Sequence, residues 1–238
     1  MRSNTIMFTF LAILASPAFS QSGTTVERAF ACSLINGYTI QDAVEVMRSF
    51  EWDEDFAPRF VALREAAYGS DEFRENWDFV VSLYYTSMVE LSEKRLAFRS
   101  RNGGSEGYSL RDVAQCDNAP RINSVDFFPG QGSGGDAPDF TAVMTTSCER
   151  NLEVPFSTVA SSVTNLMGSN LRGLQIINRQ FGGPTQAMGS RFGIRAVFNS
   201  AEGFSESMDA LRSNQPQQIP PCNIPSAWLQ YRIYDRGN

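Results

Sequence analysis

The strongest constraint on this chain is a cysteine pattern that occurs twice. Cys32 and Cys116 bracket one stretch, Cys148 and Cys222 bracket another of similar length, and Pro129-Gly-Gln-Gly-Ser-Gly-Gly-Asp-Ala-Pro-Asp139 lies between them. That segment carries four glycines and two prolines in eleven residues. It cannot hold a helix or a central strand, so it reads as a flexible connector. The expected organisation is one unit used twice, over 21–128 and 140–238, with a linker at 129–139.

Hydrophobic periodicity gives each half the same order of elements. In the first, Ala29–Leu34 reads as a short buried strand, and Asn36-Gly37 turns the chain. Thr39-Ile-Gln-Asp42 has the form of a capping box, and Ile40, Val44, Met47 and Phe50 follow at helical spacing. Arg59–Ala67 and Asp78–Tyr85 read as strands closed or separated by turn residues. Ser87-Met-Val-Glu90 opens a second helix through Phe98, and Arg101–Gly107 is a loop. A short helical piece, Leu110–Gln115, precedes Cys116, and Ile122–Phe128 is the last strand. The second half repeats the order, with strands at Phe140–Cys148, Leu174–Phe181, Phe192–Asn199 and Trp228–Tyr234. Phe156, Val159, Val163 and Leu166 mark its first helix, and Phe204, Met208 and Leu211 its second. Each half is therefore β-α-β-β-α-β, and the fold class is α+β.

Four cysteines allow three pairings. In a split β-α-β sheet the last strand lies antiparallel beside the first, so the end of strand one meets the start of strand four. Cys32 and Cys148 end first strands, while Cys116 and Cys222 shortly precede last strands. Pairing Cys32 with Cys116 and Cys148 with Cys222 staples the same corner of both units. Loop-closure entropy makes each bridge worth about 4 kcal/mol.

The N-terminus fits disulfide chemistry. Arg2, the apolar run Ile6–Ala15 and the small-residue ending Ser16-Pro-Ala-Phe-Ser20 read as an export signal over 1–20. The run is shorter than the roughly 20 residues of a membrane span. No cysteine follows the expected cut, which argues against a lipid anchor. The expected location is periplasmic or secreted, where disulfides persist.

Composition excludes several functions. Net charge is −6, from 20 Lys and Arg against 26 Asp and Glu, with Lys94 the only lysine. This speaks against a nucleic-acid partner, which needs clustered positive charge. Histidine is absent. That removes Ser-His-Asp and Cys-His machinery, histidine-ligated metals and a proximal-histidine haem. No cofactor and no metal are expected.

Two tandem ferredoxin-like units on one chain resemble the dimeric α+β barrel superfamily, in which two sheets face each other around a shared interior. The Cys32-Ser-Leu34 start, the helix entry Gly37-Tyr-Thr-Ile-Gln-Asp42 and the strand Trp77-Asp-Phe-Val-Val81 also resemble secreted proteins of aquatic bacteria with such repeats. The second half lacks the glycine and threonine of that helix entry. The resemblance implies a pseudo-dimeric α+β barrel with its units packed sheet to sheet. The superfamily's haem-handling members are similar in topology alone, and the missing histidine opposes that use.

Strand alternation nominates the interior side chains. Aligning Tyr68-Gly69 with Phe181-Gly182 pairs Arg64 with Ile177, and Ala66 with Arg179. In the third strands, Phe79, Val81, Leu83 and Tyr85 are expected to face inward in one unit, and Arg195, Val197 and Asn199 in the other. An apolar interior carrying Arg64, Tyr85, Arg179, Arg195 and Asn199 suits a small acidic or aromatic ligand. The competing expectation is that these arginines are structural, paired with carboxylates across the seam.

Three weaker signals are set aside. Glu51-Trp-Asp-Glu-Asp55 is acidic, but Pro58 stands where a calcium loop needs glycine, so it reads as a solvated helix end. Trp52 and Trp77 read as core tryptophans. Gly130-x-Gly132-x-x-Gly135 has dinucleotide spacing, yet no helix can open after it.

The leading expectation is thus an exported protein binding a small acidic or aromatic molecule between its units. The alternatives are a cofactor-independent α+β-barrel enzyme, of oxygenase or isomerase type, and a structural or protein-binding module. Oligomeric state is not legible in these residues.

Overall fold

Each half of the chain folds its strands into a sheet whose outer face is greasy enough to need covering by helices. The computed structural model describes residues 24–68, 76–101, 110–134, 138–181, 189–213 and 220–237. The expected export signal, the Arg101–Gly107 loop beyond Arg101 and the glycine turns after Tyr68 and Phe181 lie outside the described residues. The first unit runs β1 (Thr24–Leu34), α1 (Ile40–Ser49), β2 (Phe60–Tyr68), β3 (Phe79–Tyr85), α2 (Met88–Arg101), α3 (Leu110–Val113), β4 (Ala114–Cys116) and β5 (Arg121–Pro129). The second runs β6 (Phe140–Glu149), α4 (Phe156–Met167), β7 (Leu171–Phe181), β8 (Arg191–Phe198), α5 (Ala201–Ser213) and β9 (Ser226–Asp235).

Local chemistry sets the helix starts. The Thr39 hydroxyl accepts from the Asp42 backbone N–H at 3.3 Å, and the Asp42 carboxylate accepts from the Thr39 N–H at 2.7 Å. This reciprocal box satisfies two donors that the first turn leaves free. At α2 the Ser87 hydroxyl accepts from the Glu90 N–H, while Glu90 reaches back to Thr86 N–H at 2.6 Å.

The sheet order β3-β2-β9-β6-β8-β7-β5-β1, with β1 pairing back onto β3, closes eight strands into an antiparallel barrel. Each unit supplies four neighbouring strands, β5-β1-β3-β2 and β9-β6-β8-β7. The joints are β2 with β9 and β5 with β7, so the sheets meet edge to edge and face each other as opposite walls. Closure leaves no unpaired edge among these strands. β4 is a short flap on the end of β1.

Because neighbours alternate in direction, β1, β2, β6 and β7 all end at one mouth, where β3, β5, β8 and β9 begin. Both bridges are there. Cys32–Cys116 and Cys148–Cys222 close loops of sequence separation 84 and 74. The registers of the units match: Cys32 opposes Phe79 as Cys148 opposes Phe192, and Arg64 opposes Val80 as Ile177 opposes Gly193. The expected pairing of Arg64 with Ile177 holds.

Two apolar cores lie outside the barrel. Val26, Phe30, Val61, Leu63, Phe79, Val81, Leu83 and Tyr85 pack with Ala43, Val44 and Met47 of α1. Leu171, Leu174, Ile176, Phe192, Ile194, Ala196 and Phe198 pack with Val159, Ala160 and Val163 of α4. Each such fully buried side chain contributes about 1.5–3 kcal/mol.

Two expectations are corrected here. The inward set on β3 is Val80, Ser82 and Tyr84, so Phe79, Val81, Leu83 and Tyr85 face the helices instead; four apolar or aromatic residues in phase belong under α1. The connector also begins as a docked segment. The backbone N–H groups of Gly130 and Gly132 donate to Arg172 and Leu171 carbonyls at 3.0 and 2.9 Å. A Cβ at Gly130 would overlap the Leu171 carbonyl, and one at Gly132 the Asn199 amide, so glycine is required by close approach.

Candidate functional site

An eight-stranded barrel is wide enough either to be filled by side chains or to hold one small ligand. This one does some of each. Near its middle, Glu27 of β1 is fully buried, with Arg64 of β2 and Arg195 of β8 only 2% and 7% exposed. Arg64 Nη2 and Arg195 Nη1 each stand 3.0 Å from Glu27 Oε1. Asn123 Nδ2 donates to Glu27 Oε2 at 2.8 Å. Arg195 Nη1 also donates to the Tyr84 hydroxyl and to Gln175 Oε1, both at 2.6 Å. Arg64 further donates to Ser82, to Tyr84 at 3.2 Å and to Gln230 Oε1 at 3.3 Å. The network takes residues from both units: Glu27 pairs with Arg64 of its own unit, and Arg195 of the second unit finds its carboxylate in the first.

Burial alone would push the Glu27 carboxyl up, but the guanidinium groups of Arg195 and Arg64, with hydrogen bonds from Ser82 and Asn123, hold it well below the usual carboxylate range. Glu27 is therefore a fixed counter-ion. At pH below about 4.3 an unfolded glutamate takes up a proton that the folded one refuses. Stability from Glu27 is full above that value and is lost as pH falls towards the folded pKa. Acid unfolding should therefore steepen below pH about 4, and a Glu27→Gln variant should show a flatter profile in that window when melting temperature is followed against pH.

Towards the disulfide mouth the network opens into a cavity of about 280 Å³. Its lining includes Arg121, Arg179 and Arg191 besides Glu27, Arg64 and Arg195, with Trp228, Ile177 and Val80 as apolar wall. Five arginines thus face one carboxylate, in a chain whose net charge is −6. Arg191 is occupied by Ser147, by Asn223 at 2.7 Å and by the exposed Glu149 at 3.9 Å. Arg179 is not: burial lowers its pKa, the Arg121 guanidinium lowers it further, and Glu27 only partly opposes them. Among the described residues, the Nε groups of Arg179 and Arg195 and the Asn123 Oδ1 are buried without a hydrogen-bond partner.

The opposite end carries aromatic side chains. Phe60 and Phe127 flank the Tyr84 ring at 5.6 and 6.0 Å between centroids, and Thr141 donates its hydroxyl to the Phe198 carbonyl. The cavity has a charged floor of Glu27, Arg64 and Arg195.

Of the residues nominated from sequence, Arg64, Arg179 and Arg195 meet in this pocket. Tyr85 sits under α1 in the first core, and Asn199 lies at the end of β8, exposed, with its amide on the Ser169 carbonyl at 3.1 Å. Glu27, Tyr84, Asn123 and Arg121 were not nominated. Glu27 precedes the expected start of its strand at Ala29, and a lone acid there signals nothing until its arginines are placed. For Tyr84 the signal was Ser82, the one small polar residue in an apolar strand, which marks the inward phase. Trp52 satisfies its indole N–H on the Met47 carbonyl at 3.3 Å and stacks on Tyr234, as a core tryptophan should. In the acidic turn, Asp53 Oδ1 accepts from the Asp55 N–H, and no cluster of metal-ligating side chains occurs among the described residues.

No protein-family description and no curated protein matches the sequence. Similar solved structures exist. A protein of Fusobacterium nucleatum provisionally assigned as a monooxygenase superposes with a TM-score of 0.51 at 9% identity, covering 90% of this chain and 94% of its own. Two single-residue variants of chlorite dismutase from Candidatus Nitrospira defluvii each give 0.50, at 10% and 9% identity, covering 90% and 89% of this chain and 93% and 92% of theirs. These neighbours are dimeric α+β barrels, and this chain has that fold, built from two tandem ferredoxin-like units. A haem with an imidazole axial ligand does not fit this chain, because it has no histidine.

Proposed function

We propose that this is an exported protein that binds a small organic anion in the arginine-lined mouth of its barrel. The observation that carries the reading is the uncompensated charge at that mouth: Arg179 beside Arg121, with Arg179 Nε and Arg195 Nε unpartnered. Buried guanidinium groups that share one carboxylate leave positive field for a second, and planar guanidinium matches a ligand carboxylate bidentately. At about 280 Å³ the cavity admits a molecule the size of a single-ring acid. Export is supported by the N-terminal pattern and by two disulfides, which persist in oxidising compartments.

Binding is favoured over catalysis by Glu27. A proton-transferring carboxylate needs a pKa near the working pH, whereas the two arginines hold this one ionised. Calorimetric titration of the purified protein with benzoate and with benzamide tests the reading. Benzoate should bind at one site per chain and benzamide should not. Arg179→Ala, at a partly exposed position, should weaken benzoate by about tenfold or more while the fold melts within a few degrees of wild type. Equal binding of acid and amide, or none of either, refutes it.

A further inference from the structure

The arginines that line the cavity are not equivalent, and the two that lack an acid are neighbours. Glu27 is shared by Arg64 and Arg195, each 3.0 Å from its Oε1. Arg191 is occupied by Ser147, by Asn223 and by the exposed Glu149 at 3.9 Å. Arg121 and Arg179 also line the cavity, and both are partly exposed. Among the described residues neither has a carboxylate within salt-bridge distance. They lie on the two strands of one inter-unit joint: Asn123 of β5 opposes Arg179 of β7, and Arg121 is two residues from Asn123, on the same face of β5. Long side chains reach each other across such a diagonal. The Arg121 guanidinium is felt at Arg179, whose pKa burial lowers and Arg121 lowers further.

Like charges on neighbouring strands oppose folding, and Glu27 offsets this pair only in part. Two positive charges at one place call for two negative ones. A single carboxylate brings one charge and two oxygens, enough for one guanidinium in bidentate contact. A dicarboxylate would carry its second charge away from the pair, towards Arg191, whose guanidinium is already occupied. A phosphomonoester puts both on one head group, with about −1.5 to −2 charge at pH 7 and three accepting oxygens, so it can face two guanidinium groups at once. Trp228, Ile177 and Val80 supply apolar wall for the organic body within about 280 Å³.

We propose that the ligand is a phosphomonoester with a small organic body, its dianionic head held by Arg121 and Arg179 together. This rests on the anion-binding reading above and narrows it to a ligand class. The composition makes the charge requirement measurable. The ionisable groups lining the cavity are Glu27, which its arginines keep ionised, and the five arginines. The chain has no histidine, and its four cysteines are in disulfides. None of these groups changes charge between about pH 5 and 8. A change of affinity across that range therefore reports the second ionisation of the ligand, near pH 6 for a phosphomonoester.

The test is isothermal titration of the intact protein with phenyl phosphate, phenyl sulfate, benzoate and inorganic phosphate. Phenyl sulfate has the same shape as phenyl phosphate but carries one charge. At about pH 7.5 phenyl phosphate should bind about tenfold or more tightly than phenyl sulfate or benzoate. Its affinity should fall about fivefold by pH 5, with the midpoint near pH 6, while phenyl sulfate and benzoate stay level. Inorganic phosphate, lacking the body, should bind about tenfold or more weakly than phenyl phosphate. Arg121→Gln should bring the ratio of phosphate to sulfate affinity near one. Without ligand that variant should melt no lower than wild type, because it removes a repulsion. If phenyl phosphate binds no better than phenyl sulfate and benzoate, the anion site survives and the dianion assignment is overturned. If none of the four binds, both readings are overturned. Inorganic phosphate binding as tightly as phenyl phosphate overturns the ester. A ratio that persists in Arg121→Gln, or a melt well below wild type, removes Arg121 from the site and overturns the paired geometry. The wild-type pH profile decides the charge requirement whatever the variant does.

Discussion

Glu27→Gln is expected to lower the melting temperature by about 6–20 °C. The substitution keeps the shape but leaves Arg64 and Arg195, 2% and 7% exposed, without their shared counter-ion. Breaking a buried ion pair by removing one partner costs about 3–5 kcal/mol, and a chain of this size loses roughly 2–4 °C per kcal/mol. The corollary separates charge from packing. Replacing Glu27, Arg64 and Arg195 together by Leu, Met and Met should restore most of the stability, because desolvating three charges is itself expensive. Thermal melts of the single and triple variants read both effects. A Glu27→Gln protein that melts like wild type would show that the arginines find other partners, and would remove Glu27 as the centre of the floor.

The second large effect belongs to the disulfides. Opening either bridge by Cys→Ser should cost about 4 kcal/mol in the loop-entropy account, since the loops span 84 and 74 residues. Cys32→Ser and Cys116→Ser should lose the same amount, and the double variant no more than either alone. Cys148 and Cys222 should behave likewise in the second unit. Chemical denaturation of these variants checks the pairing. Unequal large losses within a pair, or a double variant much worse than its singles, would contradict it.

How much of this was legible beforehand depended on the range of the signal. The Thr39–Asp42 box and the helix spacing behind it are local, and they appear where the residues put them. The disulfide pairing was legible because a split sheet places the end of its first strand beside the start of its last. Arg195 was assigned inward correctly because, in the run from Phe192 to Phe198, one charged residue breaks an otherwise apolar sequence and fixes the phase. β3 carries apolar residues on both faces, so alternation could not choose, and Tyr85 went to the wrong side. Matching Phe79 to Phe192, as their shared register with Cys32 and Cys148 does, gives the right one. Glu27 was illegible for a deeper reason. Its partners are 37 and 168 residues away, and one of them belongs to the other unit. The glycines at 130 and 132 read as freedom, yet they serve close approach to β7. Composition reports what a backbone could do, and packing decides which of those capacities is used.

Everything functional in this account rests on positive charge held in reserve at the barrel mouth, and arginine side-chain NMR observes it directly. In nitrogen-15 spectra of the intact protein, the Nε–H signal of Arg179, assigned by its loss in Arg179→Lys, should move saturably with one equivalent of benzoate. Signals of surface arginines such as Arg48 and Arg236 should stay in place. An Arg179 signal that never moves, or one that drifts with all the others in proportion to salt, would contradict a site there.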